Sequence, residues 1–252
     1  MALKIELERP VGDTMQVDFQ EKTAERPLTF RVHGRNNVEN RPIVLNSAII
    51  AGWTGRDPVA REKHIAELEA LGVARPSSTP IYYRVSRSLL TTAGQIEVVG
   101  DSSSGEVEFV LIRDGDRMWL GAGSDHTDRK VETYNITVSK QLCEKPLAPD
   151  LWDFEDVIGH WDSLQLRSWI KENGEWRIYQ EGSVTAMLAP ADIVAGYQAD
   201  GKLTDGSAMF CGTLAAIGGI RPSSGFSFEL SDPVLGRKIS HSYEIVALPI
   251  VG

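Results

Sequence analysis

Gly105-Glu106-Val107-Glu108-Phe109-Val110-Leu111-Ile112 is the stretch on which both the fold and the chemistry turn. Its β-branched and aromatic residues suit a strand, and side chains along a strand alternate between faces. Glu106 and Glu108 therefore share one face, and Val107, Phe109 and Leu111 share the other. Two carboxylates side by side, next to an apolar run, repel each other unless a cation or a shared proton relieves them. A hard divalent ion with a preference for oxygen ligands does so. The pair alone also fits the wet face of an antiparallel strand, so the metal reading needs a third ligand. The glycine-rich turn Gly121-Ala122-Gly123-Ser124-Asp125-His126-Thr127-Asp128-Arg129 offers Asp125. His126 is adjacent to Asp125 and faces the other way, which sets it apart from the ligands.

Working outward, residues 1–47 read as a small β-rich region and 48–252 as the main domain. Strands are expected at Lys4 to Leu7, Thr14 to Phe19, Leu28 to Val32 and Ile43 to Ile50. Asp57 as N-cap, Pro58 at the first helical position and Gly72 near the stop predict a helix over 58–71. On it His64 and Glu67 are three residues apart, hence on one face, where a carboxylate can orient an imidazole as general base. Lys130 to Thr137 reads as either strand or helix, and Lys140 follows a short β-rich run. Glu172-Asn173-Gly174-Glu175 marks a hairpin, Pro190 to Tyr197 a short helix, and Ala208 to Thr213, Phe226 to Leu230 and Ile239 to Ala247 the closing strands. The sum is a strand-rich α+β fold with a few short helices.

The formal net charge of −9 argues against nucleic acid or an anionic membrane as partner. A small anionic substrate remains compatible if a metal and a few Lys or Arg dominate locally. Cys143 and Cys211 stand far apart with no ligand pattern around them, as expected of reduced thiols in a cytoplasmic protein. No run of about 18 apolar residues occurs, so no membrane span is expected. His160, His241 and the six Trp read as structural.

Taken in order, these motifs resemble the fumarylacetoacetate hydrolase family over roughly residues 48–229. Glu106-Val107-Glu108 is similar to its Glu-x-Glu metal pair, and Ser124-Asp125 to the Asn-Asp that completes the site. Arg129 falls where the family has a substrate-facing Arg, and Lys140 matches its Lys beyond the same turn. His64-Ile65-Ala66-Glu67 resembles the dyad that activates water. Gln180-Glu181-Gly182, Gly212-Thr213 and Ser227-Phe228-Glu229-Leu230 resemble segments that supply Gln180 and Thr213 to substrate and a catalytic Glu229. Asp205-Gly206 and Cys211-Gly212-Thr213-Leu214 depart from the family's Gly-Asp and Thr-Gly-Thr-Pro, which marks a divergent subfamily.

The resemblance implies a mixed β-sandwich or β-roll core, a homodimer and a divalent cation, Mg²⁺ first and Mn²⁺ or Ca²⁺ as alternatives. It implies hydrolysis of a C–C bond in a small 2-oxo or 1,3-dicarbonyl acid, as in acylpyruvases. Such cleavage releases a carbanion that is stable enough only as an enolate beside a cation. Lys140 and Arg129 would neutralise the remaining charge, and His64, oriented by Glu67, would take a proton from water. A hydratase, dehydratase, decarboxylase or keto–enol isomerase would use the same enolate, and a non-catalytic oxo-acid binder would keep only the metal. A cupin-like barrel is the structural alternative, but such barrels hold their metal mainly through several His.

Overall fold

A computed structural model describes residues 6–7, 15–16, 27–34, 37–70, 75–198 and 201–251, without the side chains of residues 6, 7, 15, 16, 64, 67, 68 and 70. In chain order the main elements begin with β1 (Leu28–His33), β2 (Val38–Ile43), β3 (Ser47–Gly52), α1 (Pro58–Ala70), β4 (Ile81–Val85) and β5 (Gln95–Val99). There follow β6 (Val107–Asp114), β7 (Arg117–Ser124), α2 (Arg129–Glu132), α3 (Ile136–Gln141) and β8 (Asp150–Asp153). The chain closes with β9 (Gln165–Glu172), β10 (Glu175–Ser183), α4 (Pro190–Tyr197), β11 (Ser207–Thr213), β12 (Gly225–Asp232) and β13 (Arg237–Leu248).

Two mixed sheets carry the fold: an eight-stranded one in the order β2-β1-β8-β7-β6-β11-β3-β4 and a five-stranded one in the order β10-β9-β12-β13-β5. The expected strand-rich α+β architecture is what the chain adopts. Antiparallel neighbours predominate, but β8 with β1, β11 with β3 and β13 with β5 run parallel. The division expected at residue 47 falls inside the larger sheet, since β1 and β2 are two of its strands.

Local chemistry accounts for the elements. Asp57 Oδ1 accepts the N–H groups of Val59 and Ala60 at 2.8 and 3.2 Å, which starts α1 where the capping pattern places it. Asn173 and Gly174, at φ of 52° and 82°, form the tight turn between β9 and β10. Residues 130–137, open between strand and helix from sequence, form the end of α2, a turn over 133–135 and the start of α3. The β-branched run before Lys140 is helical because Asn135 Oδ1 accepts the Val138 N–H at 3.0 Å, a cap that outweighs strand propensity.

β6 lies at the centre of the larger sheet and is buried on both faces. Val107, Phe109 and Leu111 pack into the core between the two sheets, against Leu166, Ile170, Phe226, Phe228 and Tyr243. Val110 and Ile112 enter a second core with Phe30, Val32, Ile50 and Phe210. The face that carries Glu108 is therefore not a wet one. Its carboxylate side chain sits at the end of an apolar stripe, with the residue only 2% exposed.

Candidate metal centre

The β6–β7 hairpin builds the centre. Its register pairs Val107 with Ser124 and Glu108 with Gly123, so one step beyond the ladder Glu106 stands opposite Asp125. The Asp125 N–H donates to the Glu106 carbonyl at 3.0 Å, which closes that step. Opposed residues of an antiparallel pair point to the same side, and Glu108 lies two residues along the same face. A ligand oxygen from each of Glu106, Glu108 and Asp125 lies within 4.8 Å of the others. An all-carboxylate set at this spacing could hold a divalent cation, with the hard-ligand preference of Mg²⁺ or Ca²⁺.

Electrostatics reinforce the fit. Burial pushes the Glu108 carboxyl well above its ordinary range, and the charges of Asp125 and Glu106 add to the push. The Gly212 N–H donates to Glu108 Oε2 at 2.7 Å and partly offsets it. Gly212 can do so because its φ is +100° and it has no Cβ, which would stand 1.8 Å from Thr54 Oγ1. Burial also opposes ionisation of Asp125, yet Lys140 and Lys145 bring its pKa down to about 2. Lys140 Nζ donates to Asp125 Oδ2, and Lys145 Nζ lies 3.3 Å from Oδ1. Burial disfavours the Lys140 ammonium, but Asp125 and Glu106 raise its pKa above the ordinary lysine value, so it remains a cation.

Arg129 is held close by. Its Nε donates to Ser104 Oγ at 2.7 Å and its Nη1 to Glu132 at 2.8 Å, while Nη2 sits 3.1 Å from Glu106 Oε1. The guanidinium thus stands against Glu106 as an ion pair, and its buried Nη2 makes no hydrogen bond. His126 is buried on the opposite face of the turn, with Nδ1 2.9 Å from the Tyr243 hydroxyl and Nε2 2.9 Å from Ser103 Oγ. Burial, helped by Lys145 and Arg129, lowers its pKa to about 3, so it is a neutral structural imidazole.

Two expected substrate or catalytic contacts, Gln180 and Glu229, are corrected. The Gln180 amide oxygen accepts from the Val107 N–H and the Ser168 hydroxyl, and its Nε2 donates to Thr213 Oγ1 and the Leu214 carbonyl. Thr213 Oγ1 donates in turn to the Val107 carbonyl at 2.8 Å. Both side chains cross-link strands around β6; Gln180 has both amide protons and both oxygen lone pairs engaged, whereas Thr213 Oγ1 keeps one lone pair. Glu229 lies on the face of β12 opposite Phe226, Phe228 and Leu230, where it pairs with Arg167 at 3.6 Å and Lys238 at 3.3 Å. The His64–Glu67 dyad is on α1, but both side chains lie outside the described residues.

Lys145 escaped the sequence reading. It is fully buried and donates to the His126 and Cys143 carbonyls at 2.5 and 3.0 Å. Nothing in Cys143-Glu144-Lys145-Pro146 distinguishes it from a surface lysine. His160, paired with Asp232 at 3.0 Å, and His241, bonded to the Ala93 carbonyl at 3.0 Å, are structural as expected.

Solved structures share this arrangement of sheets. Cg1458 with inhibitor superposes with a TM-score of 0.60 at 16% identity, over 84% of this chain and 81% of that one. 2-Keto-3-deoxy-D-arabinonate dehydratase, complexed with magnesium and 2,5-dioxopentanoate, gives 0.58 at 17% identity over 95% and 85%. 4-Oxalocrotonate decarboxylase from Pseudomonas putida G7, complexed with magnesium and adipate, gives 0.53 at 16% over 80% and 79%. These likenesses show the fold alone, and to it the site adds a carboxylate group able to hold a divalent cation. No curated protein matches the chain by sequence. Residues 51–243 match the family described as protein of unknown function, DUF2848, and the chain belongs to that family.

Proposed function

We propose that this protein is a divalent-cation-dependent enzyme that forms an enolate from a small 2-oxo acid. The observation that carries the reading is the triad Glu106, Glu108 and Asp125, the last two buried, with the Lys140 ammonium held against it. A cation bound there would supply Lewis-acid polarisation of the substrate's 2-oxo group. The chain's own part is electrostatic. Lys140 remains positively charged beside the centre and offers a fixed cation to charge developing on an oxyanion. Arg129 keeps Glu106 in place, and the Gly212 amide does the same for Glu108. Exclusion of water from this end of β6 strengthens each of these interactions.

Two outcomes of the enolate step compete. Hydrolysis of a C–C bond, as in an acylpyruvase, needs His64 and Glu67 to activate water. Dehydration or decarboxylation does not need that dyad, and the solved structures named above for a dehydratase and a decarboxylase favour this second reading. A homodimeric assembly, which the resemblance implies, and a cytoplasmic location, which the isolated cysteines suggest, accompany the proposal.

The test is a panel of acylpyruvates and 2-oxo acids followed by loss of the ultraviolet enol band, with Mg²⁺ or Mn²⁺ and again with EDTA. EDTA-sensitive turnover is the expected result. Stoichiometric pyruvate would assign hydrolysis, and turnover that survives His64→Ala would assign lyase chemistry. Binding of Mn²⁺ and oxalate with no turnover of any substrate would overturn the enzyme reading in favour of a binding protein.

A further inference from the structure

Asp125 sits between two residues that face away from the carboxylates. Ser124 Oγ and His126 Nδ1 both reach the Tyr243 hydroxyl, at 2.8 and 2.9 Å, and His126 Nε2 reaches Ser103 Oγ at 2.9 Å. All four residues are buried. A phenol hydroxyl has one proton and two lone pairs, so Tyr243 can serve both partners at once. It comes from β13 of the smaller sheet, more than a hundred residues further along the chain, as its 117-residue separation from His126 records. Gly105 admits it, because a Cβ there would stand 2.7 Å from Ser124 Oγ and 2.8 Å from the Tyr243 oxygen. On the other side Ser103 and Ser104 pair with Asp128 and Thr127 as a short antiparallel ladder. The peptide that carries Asp125 is thus gripped from both sides, and of these side chains Thr127 alone is hydrogen-bonded to a carboxylate of the triad, its Oγ1 donating to Asp125 Oδ1 at 3.4 Å.

We propose that Tyr243, His126 and Ser103 are positioning residues for the metal centre, locking the 124–128 turn so that the Asp125 carboxylate stands opposite Glu106 at a cation-binding separation. The inference rests on the reading of the three carboxylates as cation ligands. It makes cation affinity depend on how the smaller sheet docks against the hairpin, since one partner in the lock belongs to each.

The experiment is titration of Mn²⁺ into the full chain by calorimetry, with thermal melts of the metal-free proteins alongside. Tyr243→Phe removes one oxygen and Ser103→Ala another. Each is expected to weaken Mn²⁺ binding by roughly ten- to a hundredfold without changing stoichiometry, as outer-layer partners of metal ligands do. The double variant should lose less than the product of the two, because both act through one imidazole. Glu108→Gln serves as the reference for the ligands themselves. Affinities within twofold of wild type in both positioning variants, with binding lost in Glu108→Gln, would overturn the inference and leave the network a packing feature. Unaltered binding in Glu108→Gln would instead overturn the ligand reading, and the inference with it. Should Tyr243→Phe fail to fold, Ser103→Ala decides alone.

Discussion

Lys140 competes with a cation for Asp125, and this shapes what its removal should do. Lys140→Gln takes away the ammonium that donates to Asp125 Oδ2 and leaves Lys145 beside Oδ1. The expected outcome is Mn²⁺ affinity equal to or above wild type, with kcat lower by about a hundredfold or more in the metal-dependent assay. Loss of affinity together with activity would make Lys140 a support for the ligand instead. A second prediction concerns pH at a distant residue, Asp150. Burial opposes its ionisation, but hydrogen bonds from Arg31 and His33 hold its pKa below the ordinary value. A carboxyl with a depressed folded pKa stabilises fully above its unfolded value, about 3.9, and loses that contribution as pH falls through the folded one. The urea midpoint of Asp150→Asn should therefore lie below wild type at pH 7, and the gap should narrow as pH falls below about 3.9 toward the depressed folded value. At this scale the grouping of the three carboxylates was legible because strand alternation alone groups Glu106 with Glu108, and a short turn at Gly115 sets Asp125 opposite. Lys145 was not, since burial of a lysine leaves no mark on its neighbours in sequence. Gln180 and Glu229 were misread because a motif names residue types, and only the register shows whether their polar atoms are already engaged.

Among the elements, β11 is the one whose irregularity serves the site. Its pairing with β6 shifts between Glu108 and Val110, and that bulge turns the Gly212 amide onto Glu108. Gly212→Ala places a side chain at φ +100° and against Thr54. The expected cost is about 3 kcal/mol, from backbone strain together with overpacking, measured as a drop in urea midpoint, with weaker Mn²⁺ binding beside it. Unchanged stability would mean that β11 relaxes there and that the amide is dispensable. The helices show how local signals and packing divide the work. Caps at Asp57 and Asn135 start α1 and α3 where short-range chemistry dictates. What the chain could not reveal was the order β7-β6-β11-β3 in the sheet, because parallel pairing of β11 with β3 joins residues far apart in sequence.

For the molecule as a whole, a cation that binds only the folded chain stabilises it by mass action. At a hundred times its Kd the gain is about 2.7 kcal/mol, which for a chain of this size corresponds to roughly 5–10 °C in Tm. Mn²⁺ should raise the melting temperature by that amount, EDTA should reverse it, and Glu108→Gln should abolish it. Phe226, fully buried between the sheets beside Tyr243, tests whether sheet docking and cation affinity are coupled. Phe226→Ala is expected to destabilise by ~3–5 kcal/mol and to weaken Mn²⁺ binding, whereas an equally destabilising change at Phe30 in the second core should leave the affinity alone. Contacts between distant parts of the sequence also bear on the life of the chain during synthesis. The hairpin with all three carboxylates can form early, yet the amide that settles Glu108 lies 104 residues beyond it, and the phenol beside His126 lies 117 residues beyond that imidazole. A chain still on the ribosome therefore presents the acids without their supports, and capture of a cation at native affinity is a late event in its maturation, after β13 has joined the sheet.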